Sequence, residues 1–251
     1  MVQSVDRALE ILEHLKKAPD GLGITELSNK LGTAKSTVHR LVKTLQKHDY
    51  VKTGRTDGIY ELGLKFLEMN HTVVENLDIV SLANPILREL TKETSEITHL
   101  VMLDDMELVY IDKVEANATT IRIYSQTGKR APIHCTGVGK AIAAYFSPEE
   151  YERYFARTEM KRFTPYTITT KEDFLKETAL IRKNGYAMDN EEHEEGIRCV
   201  AAPIFEHNGI VRHAISMTGP VSRMSDERLE KIIPMIKEAA MTISRKLGYS
   251  S

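Results

Sequence analysis

The chain has 251 residues, with 34 Lys and Arg against 36 Asp and Glu, and is 41% apolar and 28% charged. At roughly 150 residues per domain this length favours two domains, each able to bury a core without disulfides or a structural metal. With 6% aromatic residues and ordinary apolar content, a disordered or fibrous chain is excluded. Cys135 and Cys199 are too few for a disulfide scaffold and point to a reducing compartment. The opening MVQSVDRALEILEHL interleaves charge with apolar residues, unlike a secretory signal. The longest apolar run, Ala141 to Phe146, falls far short of the roughly 18 residues of a membrane span. The expectation is a cytoplasmic protein with no membrane association.

In chain order, Val5, Ala8, Leu9, Leu12 and Leu15 recur at helical spacing and predict an amphipathic helix over 4–17. Pro19, Gly21 and Gly23 close it. A second helix follows, with Thr25 as N-cap, Leu27 and Leu31 inward and Gly32 as its stop. The third covers 35–48 and buries Val38, Leu41, Val42 and Leu45. Tyr50–Thr53 and Ile59–Leu62 then read as a hairpin whose tip, Gly54 to Gly58, carries Arg55. Three helices and a hairpin, with a short turn between helices two and three, make a winged helix-turn-helix.

Charge is unevenly spread over this half. Between Lys30 and Arg55 seven basic residues stand against one acid, Asp49. A solvated basic face explains the charge alone equally well. What tips the reading is the polar face of helix three, where Lys35, Ser36, Thr37, His39, Arg40 and Lys43 crowd the first turns. There a recognition helix presents side chains to base edges and phosphates, with Arg55 reaching from the wing. The expected partner is double-stranded DNA, contacted by one face only.

Residues 63–77 predict a linking helix with spare apolar positions at Phe66, Val73 and Val74. The division expected is therefore 1–62, 63–77 and 78–251. In the last part a helix over 79–94 meets Pro85 near its start. Thr98–Leu103 and Leu108–Val114 form a hairpin around Asp104-Asp105-Met106-Glu107, and a strand follows at Thr120–Ser125. Helices fit Gly139–Phe146, Glu149–Phe155 and Lys171–Asn184, and strands fit Tyr186–Asp189, Cys199–Phe205 and Val211–Thr218. A closing helix over Asp226–Leu247 carries Pro234. This is an α+β domain, an antiparallel sheet flanked by helices.

Two segments of the second half are rich in chemistry. Gly128 to Ala141 is not a Walker A loop, because His134 stands where a Gly is needed and Ala141 where Ser or Thr would hold magnesium. Its glycine-lined turn opens a helix, which suits a small carboxylate or simply tight helix–sheet packing. Around His193 stand Glu191, Glu192, Glu194 and Glu195, which suggest acid–base chemistry but read better as a solvated loop. His134, Cys135, His193 and Cys199 make a zinc set on paper, without CxxC or HExxH spacing. Cys199 opens an apolar strand and behaves as a small core residue. There is no GxSxG elbow. No metal, cofactor or catalytic set is expected.

Taken together, the motifs resemble one family. They are Ser4-Val5-Asp6-Arg7-Ala8-Leu9-x-Ile11-Leu12; Leu31-Gly32-x-x-Lys35-Ser36-Thr37-x-x-Arg40-Leu41; Gly128-x-Arg130-x-Pro132-x-His134-x-Thr136-x-x-Gly139-Lys140-Ala141; and Asp189-x-Glu191-Glu192-x-x-x-Gly196-x-Arg198-Cys199-Val200-Ala201-Ala202-Pro203. In this order they are similar to the signatures of IclR-type bacterial transcription regulators, over essentially the whole chain. The resemblance implies a winged helix joined by a linker helix to a GAF-like effector-binding domain, in a homodimer or homotetramer that represses a small catabolic operon. It also implies an effector site, with Gly137 and Val138 holding a carboxylate, Asp189, Cys199 and Ser216 opposite, and Ile123 and Ala131 as apolar wall. That set suits a small keto, hydroxy or sugar acid. The competing class is an enzyme acting on such an acid. The missing nucleophile elbow, phosphate loop and metal spacing, and the basic third helix, speak against it.

Overall fold

The computed structural model describes residues 2–75, 78–115 and 125–250, which fold as two units, Met1–Asn76 and Leu77–Ser251. In the first, Ile11 and Leu15 of α1 (Gln3–Lys16), Leu27 of α2 (Ile24–Leu31) and Val38 and Val42 of α3 (Lys35–Lys47) close one core with Val51 and Tyr60. Those two come from β2 (Val51–Thr53) and β3 (Ile59–Leu62). The sheet also contains β1 (Leu22–Gly23), in the antiparallel order β1-β3-β2. Two residues carry no readable period, so β1 was not foreseen. Thr25 is not the N-cap of α2. The cap is Gly23, whose backbone N–H donates to the Glu26 carboxylate at 3.0 Å; the anchoring group comes from inside the first turn. The turn into α3 is clamped by the Ser28 hydroxyl, which donates to the Thr33 carbonyl at 2.6 Å. Helix α4 (Lys65–Glu75) follows, with Phe66 edge-on to Tyr50 at 5.5 Å.

The second unit is built on a six-stranded antiparallel sheet. Its order is β6 (Arg130–Ala131), β5 (Glu107–Val114), β4 (Ile97–Asp104), β9 (Val211–Pro220), β8 (Ile197–Phe205) and β7 (Ala187–Asn190). Strand β6, again two residues long, was not legible. Helices α5 (Asp78–Thr94) and α9 (Asp226–Lys246) cover one face, packing Leu87, Ile232 and Ile236 on Leu100, Val200, Ala202, Ile204 and Ile215. The other face takes α6 (Gly137–Ala143), α7 (Pro148–Arg157) and α8 (Lys171–Asn184), with Val138, Ile142, Tyr154 and Phe174 against Val101, Leu108, Ala201 and Ala214. Alternation along β8 thus sends Ala201 to one core and Val200 and Ala202 to the other.

Three details differ from the sequence expectation. The β4–β5 turn needs only Asp105 and Met106, both at positive φ (44° and 66°), the geometry that matches strand twist in a two-residue hairpin. Helix α6 starts two residues early, because the Thr136 hydroxyl accepts the Gly139 N–H at 3.2 Å. It also ends early, because Tyr145 and Phe146 bond back three residues, to the carbonyls of Ile142 and Ala143. The strand expected at 120–125 lies outside the described residues, save Ser125, which is not in a strand. No described helix is long and apolar enough to cross a membrane.

Candidate functional site

On the first unit, Lys35, Ser36, His39, Arg40, Lys43 and Arg55 are exposed, and Thr37 is half-buried, on α3 and the wing tip. All seven expected DNA-contacting residues thus lie at the surface. Among the described residues neither Lys35, Arg40 nor Arg55 forms an ion pair, and Lys43 only meets Gln46 at 3.1 Å. The start of α3 is open as well. Its N-cap is Ala34, which has no side-chain acceptor, whereas α7, α8 and α9 are each capped by a hydroxyl, from Ser147, Thr170 and Ser225. The N–H groups of Lys35 and Ser36 therefore stay free for an anion at the positive end of the helix.

In the second unit a cavity of about 250 Å³ lies between α6 and the sheet. Six of the expected effector residues line it: Ala131, Gly137, Val138, Asp189, Cys199 and Ser216. The seventh, Ile123, lies outside the described residues. Cross-strand register explains the grouping. Asp189 pairs with Cys199, Cys199 with Thr218, and Ser216 with both Ala201 and His99, so these side chains stand side by side on one face. Gly137 lets α6 approach closely, since a Cβ there would sit 3.1 Å from Cys199 Sγ. Gly139 is tighter still, with a Cβ position 2.4 Å from the Ile133 carbonyl oxygen, backbone that cannot yield.

Sequence reasoning missed His99, Tyr110, Ser125 and Arg130, which also line the cavity. Arg130 was named in the third motif but given no role, and the other signal was His99, a polar residue just ahead of the apolar run Leu100 to Leu103, which becomes meaningful once β4 is paired with β9. His99 meets Ser216 Oγ at 3.2 Å and Ser125 Oγ at 2.7 Å through its two ring nitrogens. Burial, then the Lys113 charge, push it down to about 3, so the ring is neutral. Asp189 moves the other way. Burial lifts its carboxyl to about 7 although Oδ1 accepts the Glu192 N–H at 2.8 Å.

The Glu run is not uniformly solvated. Glu192 is buried and its carboxylate pairs with the ammonium of Lys140, whose side chain is 1% exposed and also reaches Glu177 at 3.4 Å. The four residues of the paper zinc set do not act as ligands together. His134 Nε2 donates to the Lys161 carbonyl at 2.9 Å, the His193 ring packs edge-on to Phe163, and burial pushes both thiols up. Among the described residues no group of three His, Cys, Asp or Glu could hold a metal.

A helix-turn-helix with an open, basic recognition helix, in one chain with an α+β unit, defines a DNA-binding transcription regulator rather than an enzyme. Residues 4–55 match the IclR helix-turn-helix domain and residues 71–245 the bacterial transcriptional regulator IclR C-terminal domain; the chain belongs to the IclR family of bacterial transcription regulators. It is 39% identical over 249 residues to the HTH-type transcriptional regulator XynR of Escherichia coli (strain K12), covering 99% of this chain and 98% of that one. Identity to the transcriptional repressor IclR of the same organism is 31% over 249 residues, covering 98% and 90%. The crystal structure of Thermotoga maritima IclR superposes with a TM-score of 0.80 at 35% identity, covering 99% and 100%.

Proposed function

We propose that this regulator represses a small catabolic operon and that a small keto, hydroxy or sugar acid, bound in the cavity under α6, changes its affinity for the operator. The observation that carries the effector reading is the cavity itself. It is smaller than the roughly 300–1,000 Å³ of drug-sized ligand sites, is closed by a sheet on one side, and gathers Asp189, Ser216, His99 and Cys199. The N–H groups of Gly137 and Val138 have no partner among the described residues and lie where the helix dipole favours a carboxylate. Ser216 donates to the ligand, and Ala131 supplies apolar wall. Repression is the direction taken by the relative named above as a repressor.

The test is selection of bound DNA from a random pool, followed by titration of the selected operator with and without a panel of small acids. An acid that binds one arrangement of the protein better changes operator affinity by about 1–3 kcal/mol of coupling. Ser216→Ala removes one hydrogen bond to a charged ligand, worth about 1.5–3 kcal/mol, and is expected to weaken the response at least tenfold while leaving effector-free operator binding intact. It is a cleaner probe than bulk at Gly137, which would force α6 off Cys199. An unchanged response in Ser216→Ala removes the cavity from the reading.

DNA contact is assigned to Lys35, Ser36, Thr37, His39, Arg40 and Lys43, with Arg55 on the wing. Arg40→Ala is expected to cost about 1–3 kcal/mol of operator affinity if Arg40 reads a guanine. Gel shifts showing unchanged binding by both Arg40→Ala and Lys35→Ala would sink the assignment.

A single winged helix makes few contacts, and a two-fold dimer reads a palindrome with two heads. A groove of about 920 Å³ between α1, α3 and α4, lined by Val5, Leu9, Leu12, Leu41, Phe66 and Met69, supports pairing through this unit, with 63–77 as linker between 1–62 and 78–251. The side chains of Val73 and Val74 lie outside the described residues. Light scattering at micromolar protein is expected to give at least a dimer mass; a monomer that binds operator one-to-one refutes pairing.

A further inference from the structure

The charge around Asp189 sets what the cavity can accept, given the effector reading above. Asp189 is buried at the end of β7, and its Oδ1 is held by the backbone N–H groups of Glu192 (2.8 Å) and His193 (3.4 Å). Oδ2 has no partner among the described residues and is not one of the polar atoms shut away from solvent, so it is the oxygen left to the cavity.

The neighbours bring no spare cation: Lys113 of β5, whose charge reaches His99, is paired with Glu115 and donates to the Ser125 carbonyl. From β4, β5 and β8 the facing groups are His99, Tyr110 and Cys199. All three are uncharged, because burial pushes the imidazole down to about 3 and pushes the phenol and the thiol up. From the loop after β7, His193 is also pushed down by burial, and Glu192 and Glu194 carry only acid. From α6 the ammonium of Lys140 is committed to Glu192 and Glu177. Ahead of α6, the Cys135 thiol is buried and pushed up. At the β6 edge the Arg130 side chain is 43% exposed and tied to Asp104 and to Glu107 at 3.1 Å, and Lys129 is half-buried with contacts of its own.

We infer that the cavity takes an acid with one carboxylate and no further charge, and that this acid binds together with one proton, held between its carboxylate and Asp189 Oδ2. In a space of about 250 Å³ a second carboxylate sits close to Asp189, and two like charges that close, with no cation between them, do not both ionise. The arrangement is that of an acid–carboxylate dyad, one partner supplied by the ligand. Asp189 then donates to the ligand rather than accepting from it. The lifted carboxyl agrees with this, since the free cavity already favours the protonated form up to about pH 7. Below that pH, binding takes up no proton; above it, the proton comes from solvent and affinity falls tenfold per pH unit.

The test is calorimetric titration of the full chain with lactate, glycerate, 2-oxobutanoate and gluconate at pH 6 and pH 8, in two buffers of different ionisation heat at each pH. The acid that binds at pH 6 is expected to bind about tenfold more weakly at pH 8, with close to one proton taken up at pH 8 and close to none at pH 6. Succinate and malonate, which are dianions at pH 8, are expected not to compete at that pH. Asp189→Asn, whose amide donates without a proton from solvent, is expected to lose the pH dependence, whatever its affinity at pH 6. The wild-type proton count stands as a test even if that variant folds poorly. An acid that binds equally at both pH values, or without proton uptake at pH 8, is paired by a cation instead; that overturns the inference and leaves the effector reading standing. Competition by either dianion at pH 8, or a pH slope that survives in a folded Asp189→Asn, also overturns it. Failure of every acid to bind at either pH overturns both.

Discussion

Replacing Lys140 by Met is expected to lower the unfolding free energy of the second unit by about 3–5 kcal/mol, the cost of removing one partner from a buried ion pair. The Lys140 side chain is 1% exposed, and Glu192, beside it, is buried with one carboxylate oxygen that already has no partner. Burial pushes the Glu192 carboxyl up despite the Lys140 charge. Without Lys140 it must stay ionised in a dry site or take up a proton. Met keeps the length and volume of the stem, so packing changes little. Lys140→Met with Glu192→Leu is expected to recover most of the loss, because a well-packed apolar pair replaces a buried ionic one at little or no cost. Urea denaturation followed by circular dichroism reads both; a single variant within 1 kcal/mol of wild type would show the pair to be immaterial.

Asp189→Asn is expected to change how stability depends on pH, in a direction fixed by the lifted carboxyl. Folding raises this group from the ordinary carboxylate range to about 7. Its favourable contribution is therefore complete below about pH 4 and is lost as pH rises through 7. A rise of about three units corresponds to on the order of 4 kcal/mol between those limits. The buried histidines act oppositely. His99 and His213, pushed down to about 3 and about 4 by burial, contribute stability that is lost as pH falls below their ordinary range. The wild-type curve mixes these effects, so the informative quantity is the difference between variant and wild type. Asn still accepts the Glu192 N–H, and the variant is expected to gain steadily on wild type from pH 4 to pH 8. A difference that stays flat across that range would mean that Asp189 is ionised in the folded protein.

The two expectations show where the sequence was and was not legible. Long periodic segments such as α1, α3, α8 and α9 were readable because burial imposes their spacing on the chain. The effector set was named only as what the family resemblance implies, and strand register accounts for the grouping of Asp189, Cys199 and Ser216. His99 could not, because its value depends on Ser216, 117 residues away, standing beside it in the sheet. Glu192 failed for the opposite reason. In a run of four Glu nothing local separates the one that turns inward, and only the buried Lys140 does so. Thr25 was misplaced because the carboxylate of Glu26 anchors α2 from within, a choice that residue preference at the first position does not reveal.

The strict alternation of β8 also governs how chains of this kind can diverge in length. Cys199 and Ala201 face α6, while Val200, Ala202 and Ile204 face α5 and α9. Inserting or deleting one residue within 199–204 would exchange the two sets, sending the thiol into the apolar layer and a branched aliphatic into the cavity. Drift in ligand preference must therefore proceed by replacement at fixed positions of this strand. Gains and losses of residues are confined to the connections, such as the turn at 206–210 between β8 and β9.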